Sequence, residues 1–235
     1  VREALAVPGL AVELFATPAA LARHDGLVGA ARVAGVPVSA VTDEAIGALS
    51  ETVTPQGMVA VCRHLDVDLA HALRSPRLVA VLVDIRDPGN AGTVLRTADA
   101  AGAGAVVFAG ETVDPYNGKC VRASAGSLFH VDVVRAGDPL EVLAALRAAG
   151  LRVLAADGYG DSDLDEAADA GRLSAPTAWL FGTEAHGLPD GLAAAADERV
   201  RVPLHGRAES LNLAAAAAVC LYASARSQRP RGADR

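Results

Sequence analysis

The order of apolar and polar positions divides the 235-residue chain into two grammars. Up to about residue 63 the apolar runs are short. AVELFAT (11–17) reads as a strand, residues 18–31 as a helix with proline in its first turn, and residues 36–41 as a second alternating strand. Thr42 and Asp43 precede AIGALS as a helix cap, and GMVAVCR (57–63) is a further strand. HLDVDLAHALRSP (64–76) is polar and mixed, a linker with one helical turn.

From residue 77 strands and helices alternate. LVAVLVD (78–84) is an unbroken apolar run, as expected of a strand covered on both faces. DPGN (87–90) is a turn, AGTVLRTADAAGA (91–103) a helix ending in glycine, and AVVFAG (105–110) a strand. NGKCVRASAGS (117–127) is helical in its middle, LFHVDVV (128–134) is a strand, and PLEVLAALRAAG (139–150) is an amphipathic helix. LRVLAAD (151–157), TAWLFG (177–182) and ERVRVP (198–203) complete the strands. The acidic stretch 161–174 reads as a solvated loop or surface helix, and LNLAAAAAVCLYASAR (211–226) as a long helix with a small-residue face. The tail from residue 227 is expected to fray. This order predicts an α/β fold: a parallel sheet over residues 77–235, a small α/β domain over 1–63, and a linker at 64–76.

Composition narrows the chemistry. Hydrophobic residues are 51% and charged residues 21%, enough for a core. No apolar run reaches the ~18–20 residues of a membrane span, and VREALAVPGL lacks a basic-then-apolar leader pattern. Cys62, Cys120 and Cys220 are odd in number and widely spaced, which suits a reducing cytoplasm rather than a disulfide framework or zinc site. The net charge is −7, so any nucleic-acid affinity must come from local patches. Of the 21 basic residues only Lys119 is lysine. Arginine suits bidentate contact with phosphate, although a genomic base-composition bias explains most of this excess. Aromatics at 3% argue against base-stacking platforms.

Ligands of open parallel sheets bind beyond the carboxyl ends of the strands. Three segments there carry candidate chemistry. DIRDPGNAGTVLRTADAAGA places Asn90 at a helix start, Gly92 where backbone can approach, and Arg96 further along the helix. FGTEAHGLP (181–189) places Glu184 between glycines in a tight loop. VPLHGRAESLNLAAAAA (202–218) opens a helix with Ser210 or Asn212 as its cap. Taken singly, these are a cap, a surface arginine, a turn and a capped helix; only their combination points to a site. There is no GxGxxG after the first strand of this region, no Walker loop, no GxSxG elbow and no metal-ligand spacing.

In order and spacing these segments resemble the three motifs of the SpoU (TrmH-like) RNA 2′-O-ribose methyltransferases of the SPOUT superfamily. The matching residues are Asn90, Gly92 and Arg96; Gly182, Glu184, Gly187 and Leu188; and Pro203, Leu204, Gly206, Glu209, Ser210, Leu211 and Asn212. VDPYNGKCVRASAGSLF (113–129) resembles the family's intervening stretch, and residues 1–63 more weakly resemble its substrate-binding domain. Thr183 stands where serine or asparagine is common.

The resemblance implies a SPOUT sheet with a C-terminal trefoil knot in about 180–227, and a homodimer with active sites near its interface. It implies S-adenosylmethionine held by Gly182, Val202, Leu204, Leu211 and Gly187, and methyl transfer to a ribose 2′-hydroxyl of rRNA or tRNA without a metal. Arg96 would act with Asn90, Glu184, Ser210 and Asn212. A guanidinium is a poor base, so stabilising the developing alkoxide and fixing a phosphate is its preferred role. Arg23 and Arg32, with Arg86, Lys119 and Arg122 around the site, are candidate RNA contacts. The rival readings are a catalytically inert RNA- or ribosome-binding protein of the same fold and an α/β enzyme acting on a small metabolite.

Overall fold

The computed structural model describes residues 1–50 and 52–229, and they fall into two compact units divided between Leu65 and Asp66. Of the tail expected to fray from residue 227, Ser227 and Gln228 instead end the last helix, and the residues beyond Arg229 lie outside the described residues.

The first unit runs α1 (Arg2–Ala6), β1 (Ala11–Ala16), α2 (Pro18–Arg23), α3 (Asp25–Val33), β2 (Val38–Ala40), α4 (Asp43–Ser50) and β3 (Met58–Cys62). Its sheet has the order β2-β1-β3, with β2 parallel and β3 antiparallel to β1. Leu14, Ala31 and Val36 form its small core. The helix expected over 18–31 is two helices. Thr17 Oγ1 accepts from the Ala20 N–H and Pro18 opens α2, but the Asp25 carboxylate accepts from the Gly26 N–H at 2.7 Å. That local bond competes with the helical ladder and breaks it at His24.

The second unit begins with α5 (Leu69–Ala72) and β4 (Leu78–Val83). It continues through α6 (Pro88–Ala101), β5 (Ala105–Ala109), α7 (Gly118–Ala123), β6 (Asp132–Ala136), α8 (Pro139–Ala148) and β7 (Arg152–Ala156). The last part holds β8 (Ser162–Asp163), α9 (Leu164–Asp169), β9 (Thr177–Phe181), α10 (Asp190–Ala195), β10 (Glu198–Arg201) and α11 (Leu213–Gln228). Seven strands form one parallel sheet in the order β6-β5-β4-β9-β7-β10-β8. Every residue of β4 is buried. Leu78, Ala80 and Leu82 face one core with α6, α7, α9 and α11, while Val79, Val81 and Val83 face the other with α5, α8 and α10. This two-residue alternation of apolar side chains on both faces is why the β4 sequence shows no polar positions.

Two sequence expectations shift. LFH (128–130) is not strand: Ala125 and Gly126, with φ of 51° and 104°, reverse the chain, and Ser127–Phe129 forms a 3-10 turn before β6. The acidic stretch 161–174 is anchored rather than solvated throughout, because Leu164, Ala167 and Leu173 are buried while Asp165 and Glu166 face outward.

Helix α11 is fixed to the sheet centre by a buried bond from the Trp179 indole N–H to Ser224 Oγ at 2.9 Å. Burial pushes the thiols of Cys120 and Cys220 up to about 12, so both stay protonated and unreactive at neutral pH.

Candidate active site

All seven strands point the same way, so the segments following β4, β9 and β10 emerge on one edge of the sheet. The first opens α6. Asp87 caps that helix by accepting from the Asn90 N–H at 2.7 Å, and Pro88 occupies its first position. Asn90 is therefore not the cap, and its amide is available for other bonds. The Asn90 N–H holds the Asp87 carboxyl below the usual range; desolvation opposes this, and Lys119 at 3.2 Å adds to the lowering. Gly92 lies where α6 meets α7. A Cβ there would sit 2.3 Å from the Cys120 carbonyl oxygen and 2.6 Å from the Ala123 methyl.

The segment after β9 folds back on itself. Thr183 and Gly187 exchange backbone hydrogen bonds of 2.9 and 2.8 Å, and Thr183 Oγ1 accepts from the His186 N–H. Gly187 has a φ of +67°. At Gly182 a Cβ would lie 2.2 Å from the Gly187 carbonyl, a contact only glycine permits. The loop so shaped presents Glu184. The third segment ends at Asn212, which caps α11: its Oδ1 accepts from the Ala214 N–H at 2.9 Å. Ser210, the other candidate cap, is exposed and does not cap the helix.

The three segments meet on a single oxygen. Glu184 Oε1 accepts from Asn90 Nδ2 at 2.8 Å, from Asn212 Nδ2 at 2.7 Å and from the Leu213 N–H at 3.4 Å. Asn212 Nδ2 also donates to Asn90 Oδ1 at 3.1 Å, across 122 residues of chain. Asn212 is thereby saturated: both amide hydrogens are donated and its oxygen caps α11. What remains for a ligand is one Asn90 N–H, a lone pair on Asn90 Oδ1, and Glu184 Oε2, which has no donor among the described residues.

Two clefts flank this trio's segments. A polar one of about 600 Å³ is lined by Asn90, Glu184, Asp84, Arg86, Glu111 and His186, among others. Asp84, Asp87 and Glu111 in this wall were not singled out by sequence reasoning. The Asp-Pro pair at 87–88 was a legible cap signal. The Asp84 conformation, with φ of 55° and its carboxylate accepting from the Glu111 N–H at 2.8 Å, left no sequence trace. An apolar cleft of about 420 Å³ is lined by Val202, Leu204, Leu211 and Val219, with Asp165 and His205. Leu204 and Leu211 are 41% and 38% exposed, apolar surface left open in a concave wall. Gly182 and Gly187 shape the neighbouring loop and do not line this cleft.

Arg96 is exposed and makes no hydrogen bond or ion pair among the described residues. It stands six residues beyond Asn90 on α6, about 9 Å along the axis and roughly a third of a turn away. Within one chain it does not join the trio. Arg86 pairs with Glu111 at 3.4 Å, Lys119 pairs with Asp87, and Arg122 is exposed on α7. Arg23 and Arg32 are exposed on the first unit. Among the described residues no group of His, Cys, Asp and Glu could hold a metal, and no helix is long and apolar enough to cross a membrane.

A parallel α/β sheet whose exit loops build an amide–carboxylate trio beside an apolar cleft has the form of the small-ligand sites of open α/β proteins. Comparison with known proteins places it further. Residues 77–222 match the SpoU rRNA Methylase family, and residues 1–67 match the RNA 2′-O ribose methyltransferase substrate binding family. The chain is 38% identical to the 23S rRNA (guanosine(2553)-2′-O)-methyltransferase RlmP of Bacillus subtilis (strain 168), over 94% of this chain and 84% of that one. The AdoMet-bound rRNA methyltransferase of Sinorhizobium meliloti superposes with a TM-score of 0.83 at 31% identity, covering 96% of this chain and 85% of that one. The AdoMet complex of the SpoU methyltransferase AviRb from Streptomyces viridochromogenes gives 0.80 at 32%, covering 96% and 87%. The chain belongs to the SpoU family of rRNA methylases.

Proposed function

We propose that this protein transfers a methyl group from S-adenosylmethionine to a ribose 2′-hydroxyl of ribosomal RNA. The observation that carries the reading is the convergence of Asn90, Glu184 and Asn212 on one oxygen beside an apolar cleft, in a chain whose relatives are named as rRNA 2′-O-methyltransferases. The apolar cleft fits the donor: its volume lies within the ~300–1,000 Å³ of small-ligand sites, and Val202, Leu204 and Leu211 offer flat apolar surface for an adenine. Bound there, S-adenosylmethionine supplies an electrophilic sulfonium methyl.

The chain's residues do the rest by positioning. Asn90 donates its free N–H to the ribose, and Glu184 Oε2 accepts from the reacting hydroxyl and orients its lone pair. The bonds to Oε1 hold the carboxylate in place while it does so. Ser210 and the glycines 182 and 187 complete the loop walls. The hydroxyl proton would leave through its hydrogen bond to Glu184 Oε2 as the oxygen–methyl bond forms and the sulfur–methyl bond breaks, S-adenosylhomocysteine being released. Arg96 would stabilise the developing alkoxide and hold an RNA phosphate. Its exposed position on α6 supports its acting in a homodimer, where it reaches the site at the subunit interface. Ala215, Val219 and Tyr222, spaced i, i+4, i+7, form an exposed, largely apolar stripe on α11, which packs beside α6 and supports the same interface. Arg96→Ala is expected to lower turnover at least about hundredfold while leaving donor binding unchanged, measured by single-turnover methylation and calorimetry.

The trefoil knot in about 180–227 belongs to this reading. Insertion of β9 between β4 and β7, and the return of α11 against α6, support it. Residues 1–63 serve as the RNA-binding domain with Arg23 and Arg32, residues 64–76 as linker, and 77–235 as the catalytic domain; Arg86, Lys119 and Arg122 contact RNA near the site. The enzyme works in the cytoplasm, on ribosomal RNA. The test is incubation of the full chain with labelled S-adenosylmethionine and ribosomal RNA, followed by alkaline digestion. An alkali-resistant labelled dinucleotide is expected. Donor binding without any labelled RNA would instead establish the inert RNA-binding protein.

A further inference from the structure

The apolar cleft contains one feature that adenine binding leaves unused. Asp165, in the first turn of α9, is the one carboxylate among the residues lining the cleft. Two nearby acids, Asp163 and Asp157, are committed to other partners. Asp163 accepts from the Asp165 N–H at 2.9 Å and pairs with Arg201 at 3.6 Å, and Asp157 pairs with Arg199 at 2.8 Å. The Asp165 carboxylate itself has no hydrogen-bond or ion-pair partner among the described residues.

An unpaired carboxylate on an otherwise apolar wall disfavours an anionic or purely apolar occupant and favours one carrying a cation or strong donors. The methyl donor offers three such groups: the sulfonium, the α-ammonium and the ribose hydroxyls. The sulfonium must face the hydroxyl held by Asn90 and Glu184, which line the other cleft and not this one. The ribose hydroxyls are neutral. The ammonium carries a full charge and three hydrogens, and it keeps part of its hydration at an exposed rim such as the one Asp165 occupies. We infer that Asp165 is a further donor-binding residue, which pairs with the α-ammonium of S-adenosylmethionine and so fixes the amino-acid tail of the donor. This rests on the proposed donor role of the cleft.

The test is calorimetric binding of three ligands to wild type, Asp165→Asn and Asp165→Glu: S-adenosylmethionine, S-adenosylhomocysteine, and 5′-methylthioadenosine, which keeps the nucleoside and lacks the tail. Asp165→Asn is expected to weaken the first two alike, by about tenfold, and to leave 5′-methylthioadenosine unchanged. Asp165→Glu is expected to recover part of the loss, which a merely structural role in α9 would not require. Equal weakening of all three ligands would assign the carboxylate to the ribose and overturn the inference, as would no change in any. Weakening of S-adenosylmethionine alone would assign it to the sulfonium and overturn it as well. Failure of the wild type to bind any of the three defeats the donor-cleft reading itself, a different result from all of these. An unchanged far-UV spectrum and melting midpoint show that the variants are folded.

Discussion

The two clefts at the carboxyl edge of the sheet are built from opposite materials. The polar one is walled largely by polar side chains, several of which, Asp84, Asn90 and Glu184 among them, already exchange hydrogen bonds within the protein, so much of its geometry is set before any ligand arrives. The apolar one is walled by Val202, Leu204, Leu211 and Val219, which make no directional bonds and leave surface open. Under the proposed function the contrast matches two different tasks. Holding a nucleoside needs area and shape, whereas orienting a hydroxyl for in-line attack needs preorganised donors and acceptors. A single chain segment, from β10 to α11, contributes the apolar wall and then ends at Asn212 in the trio. That continuity joins the two tasks mechanically.

If the clefts are joined but chemically distinct, some substitutions should damage both and others only one. The largest effect is expected from Gly182→Ala. Its Cβ would lie 2.2 Å from the Gly187 carbonyl, so the loop carrying Glu184 must move. Turnover should fall at least about hundredfold, since displacements near 1 Å at a reacting group cost that much. Donor affinity should fall with it, as read by calorimetry beside a single-turnover assay. Glu184→Gln should separate the clefts: turnover lower by about a hundredfold or more, with the dissociation constant for S-adenosylmethionine within about twofold of wild type. Equal losses in both measurements would show that the division between the clefts is wrong. Leu204→Ala should do the reverse. Donor affinity should weaken by roughly tenfold, with turnover at saturating donor unchanged.

The smallest effect concerns the cap beneath the polar cleft. Asp87 has its carboxyl held below the ordinary range, first by the Asn90 N–H and then by Lys119. A depressed folded value means that the carboxylate adds stability above the ordinary aspartate range near ~3.9, and that this is lost as pH falls through the lowered folded value. Asp87→Asn keeps a cap acceptor but no charge. It should therefore be slightly less stable than wild type at neutral pH, with the difference closing under acid, in urea titrations between neutrality and pH 3. Asp87→Ala should cost about 1 kcal/mol at neutral pH.

Much of this arrangement was legible from residue order. The β4 run announced a strand covered on both faces, and Gly182 and Gly187 announced a tight loop. Val202, Leu204 and Leu211, chosen by resemblance, line one cleft. Other features were ambiguous for local reasons. Both Asp87 and Asn90 are good caps, and the register of Pro88 settled the choice in favour of Asp87. Both Ser210 and Asn212 can open α11, and the position of its first turn selected Asn212. The direction in which Arg96 points depends on a helical phase that starts at Pro88 rather than at residue 91.

Sequence alone determined most of the strands and helices, though not the break at His24 or the turn at 127–129, and the glycines of the loop at 182–187, because those properties follow from side-chain shape, periodicity and backbone freedom over a few residues. Only the tertiary structure decided that Asn90, Glu184 and Asn212 bond to one another, at separations of 28 to 122 residues. The reason is the strand order: β9 enters beside β4, and β10 lies beyond β7, so three exit loops with no local preference for each other are brought to the same edge.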